Sequence, residues 1–127
     1  DINIDEMKMT SAEVFSSPAD LRQSLRWISL VSDRQKDIQL SASTGVHDSK
    51  AIIKLILGGA NTVQVCSVLY RNGVYYLSEM IKEMEAWMDE KNIESVDSLR
   101  GRLNYRNHKD PRIWERSQFM RYFSSKH

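Results

Sequence analysis

Apolar residues in this chain recur mainly at helical spacing, interrupted by two short segments in which apolar and polar residues alternate. The first helical pattern follows Ser17 and Pro18, a pair typical of a helix start because proline fits the first helical position. Leu21, Leu25 and Ile28 then follow at positions i, i+4 and i+7. This spacing predicts an amphipathic helix of about 13 to 15 residues.

The two alternating segments, residues 38–42 and 62–66, predict short strands. A helical pattern at residues 51–57 lies between them and ends at Gly58 and Gly59, since glycine accepts the backbone conformation that stops a helix. A helix between two strands excludes a hairpin. The strands are therefore expected to be parallel neighbours joined by a right-handed crossover.

Further helices are predicted after the second strand. Apolar spacing indicates a long helix over residues 74–91, a short one over 95–101 and a last one over 111–122, whereas residues 67–73 form a loop or a single helical turn. Residues 1–15 are expected to be irregular or extended. The large side chains expected in the core are Trp27, Met80, Met84, Trp87 and Met88.

The predicted order, strand, helix, strand, helix, is that of an α/β protein with parallel strands and outer helices. The loops after both strands then emerge at the same edge of the sheet, where α/β proteins bind ligands. Two parallel strands alone leave both sheet edges open. We therefore expect the later part of a larger α/β protein, or a chain that takes its missing strands from a partner or a second copy as a homo-oligomer.

Composition narrows the class of protein further. The 127 residues are 41% hydrophobic and 28% charged, with a single cysteine and three histidines. No apolar run approaches the roughly 20 residues that cross a bilayer, so no membrane partner is expected. One cysteine forms no internal disulfide, and no Cys/His cluster indicates a metal site. A cytoplasmic protein is the expectation.

The charge is uneven along the chain. Residues 1–99 carry 10 basic and 15 acidic side chains, whereas residues 100–127 carry 8 basic and 2 acidic ones, interleaved with aromatic residues. Such a mixture occurs in nucleic-acid binders. The favoured interpretation is a helical C-terminal extension that packs its aromatic residues on an acidic body, without a nucleic-acid partner.

Small residues follow both predicted strands, at residues 43–46 and at Cys66 and Ser67. Backbone N–H groups in such turns point outward and suit an anion, so two turns on adjacent strands could hold one phosphate between them. His47 is open to two interpretations, a phosphate or substrate contact and a surface residue at a helix start. Cys66 is not expected to be catalytic.

Two segments carry a resemblance to a known family. Residues 43–48 read Ser-Thr-Gly-Val-His-Asp, and residues 57–67 read Leu-Gly-Gly-Ala-Asn-Thr-Val-Gln-Val-Cys-Ser. Together with residues 95–101, they resemble the C-terminal part of dihydroorotate dehydrogenases, FMN-dependent (β/α)8 barrels, over roughly residues 16–103. The resemblance implies a barrel domain up to residue 103 that supplies two of the eight strands, followed by an extension over residues 104–127.

The resemblance also implies which residues hold the cofactor. In the family, backbone amides of both turns bind the FMN phosphate, and Ser16 and Ser17 match a glycine-bearing loop beside the flavin. The family has glycine where Thr44 and Cys66 stand, and a side chain there narrows the approach of a phosphate. The positions carried over as binding the phosphate end of FMN are Ser17, Thr44, Gly45, Val46, Cys66 and Ser67.

The implied parent protein oxidises dihydroorotate, a small-molecule substrate, to orotate in pyrimidine synthesis. The family's catalytic base and substrate-binding residues lie in earlier strands, so this chain is expected to hold no catalytic residue and to be inactive alone. Two alternatives stay open. One is a flavin barrel acting on another substrate, and the other is a non-catalytic barrel or subunit that has lost FMN.

Overall fold

The computed structural model describes residues 1–107 and residue 109. The predicted helix over residues 111–122, and with it the aromatic part of the basic tail, lies outside the described residues. The strands and helices in chain order are β1 (Ile2–Asn3), β2 (Lys8–Met9), α1 (Leu21–Arg34), β3 (Ser41–Ala42), α2 (Ser49–Gly58), β4 (Thr62–Val63), α3 (Ser67–Asn72), α4 (Tyr76–Glu90) and α5 (Val96–Leu99).

The parallel strand pair is confirmed. Strands β3 and β4 pair in parallel, with Ser41 opposite Thr62 and Ala42 opposite Val63. Both strands are shorter than predicted. Each has a single neighbour among the described residues, so only half of the backbone ladder of a central strand is formed there. The alternating pattern thus predicted where each strand lies, but the length of each strand depends on how many neighbouring strands bond to it.

Helix α1 begins as the sequence predicts. A 3-10 turn at Pro18–Asp20 precedes it, and Ser17 and Asp20 form a capping box in which the Ser17 N–H donates to Asp20 Oδ2 at 2.7 Å. The predicted burial of one residue on this helix, Trp27, is wrong. Trp27 is 53% exposed and lies outside the core, because it lines a surface groove between α1 and β3.

Helix α2 is the most buried helix described. The Asp48 carboxylate caps it by accepting the Ala51 N–H at 2.7 Å, and Gly59 ends it at a φ of 117°. Its side chains meet α1 on one side and α4 on the other. The core around it consists of Ala42, Val46, Ala51, Ile52, Leu55, Ile56, Ala60, Val68, Met80 and Leu99.

The later helices follow the prediction with two differences. Residues 67–72 form a short helix, α3, and α4 begins at Tyr76 instead of Val74. Met80 is fully buried, and Met84 and Trp87 pack against the core as partly buried side chains. Met88 is half-buried. Leu77 and Ile81, which the apolar spacing also placed on the buried stripe, are exposed, so the sequence predicted the buried face of α4 only in part.

The N-terminal segment differs from its prediction in one respect. Residues 1–15 include a small antiparallel hairpin, in which Ile2 pairs with Met9 and Asn3 with Lys8. Its apolar side chains are exposed, so the hairpin adds little to the core. Residues 12–16 leave the hairpin and reach the carboxyl-terminal edge of the β3–β4 pair.

Residues 101–106 bind back onto the helices. The N–H groups of Gly101 and Leu103 donate to the carbonyls of Ile56 and Leu57, both at 2.9 Å. Further on, the Tyr105 N–H donates to the Ser29 carbonyl at 3.2 Å. The domain boundary predicted at residue 103 stays a prediction.

Across the described residues, no helix has both the length and the apolar character that a bilayer crossing requires.

The (β/α)8 barrel also stays a prediction. The described residues form a mixed α/β arrangement of helices around one short parallel strand pair, as expected for a piece of such a fold. This arrangement places the loops after β3 and β4 side by side.

Candidate functional site

A cavity of about 580 Å³ opens at the carboxyl-terminal edge of the parallel strands. We call it the two-turn cavity. It is lined by the turn after β3 (residues 43–46), by the end of β4 and the start of α3 (Gln64, Cys66 and Ser67), and by the incoming segment 12–16. The prediction that both loops meet at one edge is thus confirmed by their common cavity.

The first turn has an unusual backbone. Thr44 and Gly45 both have positive φ angles, 78° and 80°. Gly45 also lies directly against the start of α1, where an added Cβ would be 2.2 Å from the Leu21 nitrogen. The turn therefore requires glycine at position 45 for both conformation and space, whereas Thr44 holds a conformation that favours glycine. Val46, the third predicted position, is buried in the core.

The second turn presents two polar side chains of different exposure. Cys66 is exposed and lines the two-turn cavity with its free thiol. Ser67 is 9% exposed, and its hydroxyl accepts a hydrogen bond from the Ser16 N–H at 3.0 Å. The Cys66 carbonyl accepts the Leu69 N–H at 2.9 Å, which closes the first turn of α3.

Ser16 joins the two turns. Its Oγ accepts the Gly45 N–H at 3.2 Å, donates to Ser67 Oγ at 3.1 Å and lies 3.3 Å from His47 Nε2. His47 is half-buried and lies outside the cavity lining. Sequence spacing gave no sign of this network, because it joins residues 29 to 51 positions apart. Only the match of Ser16 to a loop beside the flavin pointed to this position.

The incoming segment is held in place by aromatic contacts. The Phe15 ring lies 5.4 Å from the Tyr70 ring, centroid to centroid, and the Arg71 guanidinium lies 5.9 Å from the Phe15 ring. Such contacts attach residue 15, and with it Ser16, to the face of α3. Ser17, one of the predicted cofactor residues, lies outside the cavity lining and bonds to Asp20 instead.

The donors in the two-turn cavity fit a phosphate group. They are a backbone N–H at Gly45 and the hydroxyls of Thr44 and Ser67. The His47 ring lies outside the lining and contacts the cavity through Ser16. Two carboxylates, Glu13 and Asp20, also line the cavity and oppose an anion. Backbone and hydroxyl donors of this kind are what phosphate sites in α/β proteins use.

The described residues contain no group of three or more His, Cys, Asp or Glu side chains placed to hold a metal ion. Beside the first turn, His47 Nε2 lies 3.3 Å from Ser16 Oγ, so the ring belongs to the hydrogen-bond network that joins the two turns.

Comparison with known proteins relates the chain to one family. The "Probable dihydroorotate dehydrogenase A (fumarate)" of Streptococcus pneumoniae is 37% identical over 68 residues, which make up 54% of this chain and 22% of that protein. The "Dihydroorotate dehydrogenase (fumarate)" of Lachancea kluyveri is 30% identical over 67 residues, or 53% and 21% of the two chains. The protein of the same name from Saccharomyces mikatae is 31% identical over 68 residues.

The chain is related in part to the dihydroorotate dehydrogenase family. This confirms the resemblance carried by the turn and strand motifs, over about 54% of the chain. The matched part spans about a fifth of the length of these dihydroorotate dehydrogenases. No protein-family model matches the chain.

Proposed function

We propose that this chain is the C-terminal part of a dihydroorotate dehydrogenase-like flavin oxidoreductase, and that it supplies the phosphate end of the FMN site. The observation that carries the proposal is the two-turn cavity. It brings together five of the six residues carried over from the resemblance, namely Thr44, Gly45, Val46, Cys66 and Ser67. The relatives' names support the reaction class, oxidation of dihydroorotate.

In this proposal the chain's residues bind and orient the phosphate. The Gly45 N–H and the hydroxyls of Thr44 and Ser67 donate hydrogen bonds, and the turn conformation fixes the direction of the N–H. Bound FMN supplies the hydride acceptor of the reaction. The catalytic base and the substrate contacts belong to earlier strands of the parent protein, so no residue of this chain is assigned to catalysis.

The proposal requires further strands around β3 and β4. The alignments cover about 22% of the relatives' length, which supports a (β/α)8 barrel whose remainder lies on a longer chain or in a second copy. If a second copy of the chain supplies the remaining strands, the protein is a homo-oligomer, because each open strand edge then pairs across the interface. The single cysteine and the family relationship support a cytoplasmic location.

The first test is the visible absorption spectrum of the complete gene product. We expect a yellow protein that releases about one FMN per chain on denaturation, since phosphate held at both turns retains the cofactor through purification. A colourless protein that FMN does not load would overturn the proposal.

A second test locates the phosphate. Cys66 is the only cysteine of these 127 residues, and its thiol is exposed in the two-turn cavity, so alkylation in the complete gene product is followed on the peptide that contains Cys66. FMN at about ten times its Kd is expected to slow alkylation of Cys66 about tenfold, because the occupied fraction is shielded. Riboflavin, which lacks the phosphate, is the control and is expected to protect far less. Equal protection by both ligands, or by neither, contradicts a phosphate bound at these turns.

One observation favours a second candidate function, a barrel that has lost FMN and serves as a subunit. The Gly45 N–H already has an acceptor in Ser16, and Glu13 and Asp20 add negative charge to the cavity. This candidate is supported if the complete gene product binds neither FMN nor inorganic phosphate. Screening substrates with the FMN-loaded protein distinguishes a flavin barrel that acts on another substrate from the two candidates above.

A further inference from the structure

We infer that the Ser16 hydroxyl occupies the position of a phosphate oxygen and competes with the phosphate for the Gly45 N–H. This inference rests on the proposed function, because it concerns the same two-turn cavity. It adds a residue, Ser16, that sets the affinity of the site without taking part in the reaction.

Ser16 Oγ holds an acceptor position that an anion oxygen could take. The Gly45 N–H donates to it at 3.2 Å, it donates in turn to Ser67 Oγ at 3.1 Å, and His47 Nε2 lies at 3.3 Å. When an anion oxygen replaces Ser16 Oγ, the Ser67 hydroxyl reverses its role and donates, and His47 donates in the tautomer that carries a proton on Nε2. A phosphate oxygen that used the Gly45 N–H would have to take the place of the Ser16 hydroxyl.

Release of Ser16 requires no backbone movement. Serine has three staggered side-chain conformations, and rotation about its Cα–Cβ bond moves Oγ away from Gly45. The Ser16 N–H still donates to Ser67 Oγ at 3.0 Å after that rotation, and Phe15 stays against Tyr70 and Arg71. The segment thus remains attached to α3 whether or not Oγ occupies the anion position.

The expected change in phosphate affinity is that of one hydrogen bond, because phosphate must displace the Ser16 hydroxyl from the Gly45 N–H. A net bond of this kind changes an equilibrium by about threefold to tenfold, so wild-type protein still binds phosphate, but more weakly than a variant without the hydroxyl. Removal of the Ser16 hydroxyl is thus expected to raise the affinity for phosphate. Removal of a side chain that binds the ligand would lower it.

The test compares Ser16→Ala with wild type in the complete gene product. Ser11→Ala is the matched control, because Ser11 directly precedes the incoming segment, is exposed and lies outside the cavity lining. The first readout needs no ligand. Hydrogen exchange of the Gly45 amide, measured by NMR, is expected to speed up about fivefold in Ser16→Ala, because the amide loses its acceptor. It is expected to stay unchanged in Ser11→Ala.

The second readout is binding of FMN and of inorganic phosphate by calorimetry. Ser16→Ala is expected to bind both about threefold to tenfold more tightly than wild type. An unchanged Gly45 exchange rate overturns the inference whatever the ligand does. Faster exchange with equal or weaker binding also overturns it, since Ser16 is then a support for the turn.

The two proposals fail in different ways. Wild-type protein that prefers FMN over riboflavin, with no gain in Ser16→Ala, removes the inference and leaves the proposed function. Absence of FMN and phosphate binding in every variant removes both.

Discussion

Two successive residues of the first turn, Thr44 and Gly45, have positive φ angles, and each is constrained in its own way. Glycine at position 45 is required by the contact with the backbone of Leu21, whereas the Thr44 side chain is exposed. A threonine in this conformation carries strain of about 1 kcal/mol or more. Such strain is common at binding sites, and here it lies at a predicted phosphate contact.

Gly45→Ala is expected to destabilise the protein strongly. The new Cβ would meet the Leu21 backbone at 2.2 Å, so the turn or the start of α1 must move. Gly73→Ala is the matched control, since Gly73 also has a positive φ, 84°, but nothing lies within 4 Å of an added Cβ. We expect the loss of unfolding free energy to be at least about 2 kcal/mol larger for Gly45→Ala, measured by urea denaturation. Equal losses would show that the contact with α1 is not tight.

Thr44→Gly is expected to stabilise the protein, in contrast to Gly45→Ala. Removal of the strained side chain offsets the greater entropy of glycine in the unfolded chain and raises the unfolding free energy by up to about 1 kcal/mol. The urea midpoint measures this change. A fall in the midpoint would mean that the Thr44 side chain stabilises the turn by more than its strain costs.

At the scale of elements, sequence signals were most informative at helix ends. Ser17 and Pro18 marked the start of α1, and the start of α2 was narrowed to His47 or Asp48, of which Asp48 is the cap, because capping is a local interaction between near neighbours. Gly59 marked the end of α2 for a similar reason, since only its own backbone must turn. These boundaries depend on few residues, all close in sequence.

Other features depended on distant residues and were missed. The sequence placed Trp27 in the core because it lies beside an apolar stripe, but the groove between α1 and β3 leaves it exposed. The role of Ser16 arises from contacts with Gly45, His47 and Ser67, which no local pattern connects. For the candidate site, therefore, the sequence identified the two turns but not the residue that joins them.

The cap of α2 can be tested directly. Asp48→Ala is expected to lower the unfolding free energy by about 1 kcal/mol, because the Ala51 N–H loses its acceptor at the start of the most buried helix. Asp48→Asn keeps an acceptor and is expected to cost about 0.5 kcal/mol or less. Chemical denaturation of both variants checks the pair. Equal losses would indicate that charge, and not the hydrogen bond, is what stabilises this helix start.

At the scale of the whole molecule, the described residues hold one parallel strand pair and one cavity wall of the proposed flavin site. We therefore expect the isolated 127-residue chain to show no oxidation of dihydroorotate, since the proposed catalytic base lies on other strands. The assay is orotate formation with excess FMN and an electron acceptor, and the complete gene product is its positive control. Turnover by the isolated chain would mean that a catalytic group lies within it.

The return of residues 101–105 to α1 and α2 has a consequence for synthesis of the chain. Until those residues exist, the Ile56 carbonyl has the Gly59 N–H but not the Gly101 N–H, and the Leu57 carbonyl lacks the Leu103 N–H. A ribosome adds about 5 to 20 residues per second, so several seconds separate the completion of α2 from the synthesis of its partners. During that interval the nascent chain carries an unfinished helix end. The ordering of this part of the protein is thus timed by translation of residues that lie some 45 positions downstream.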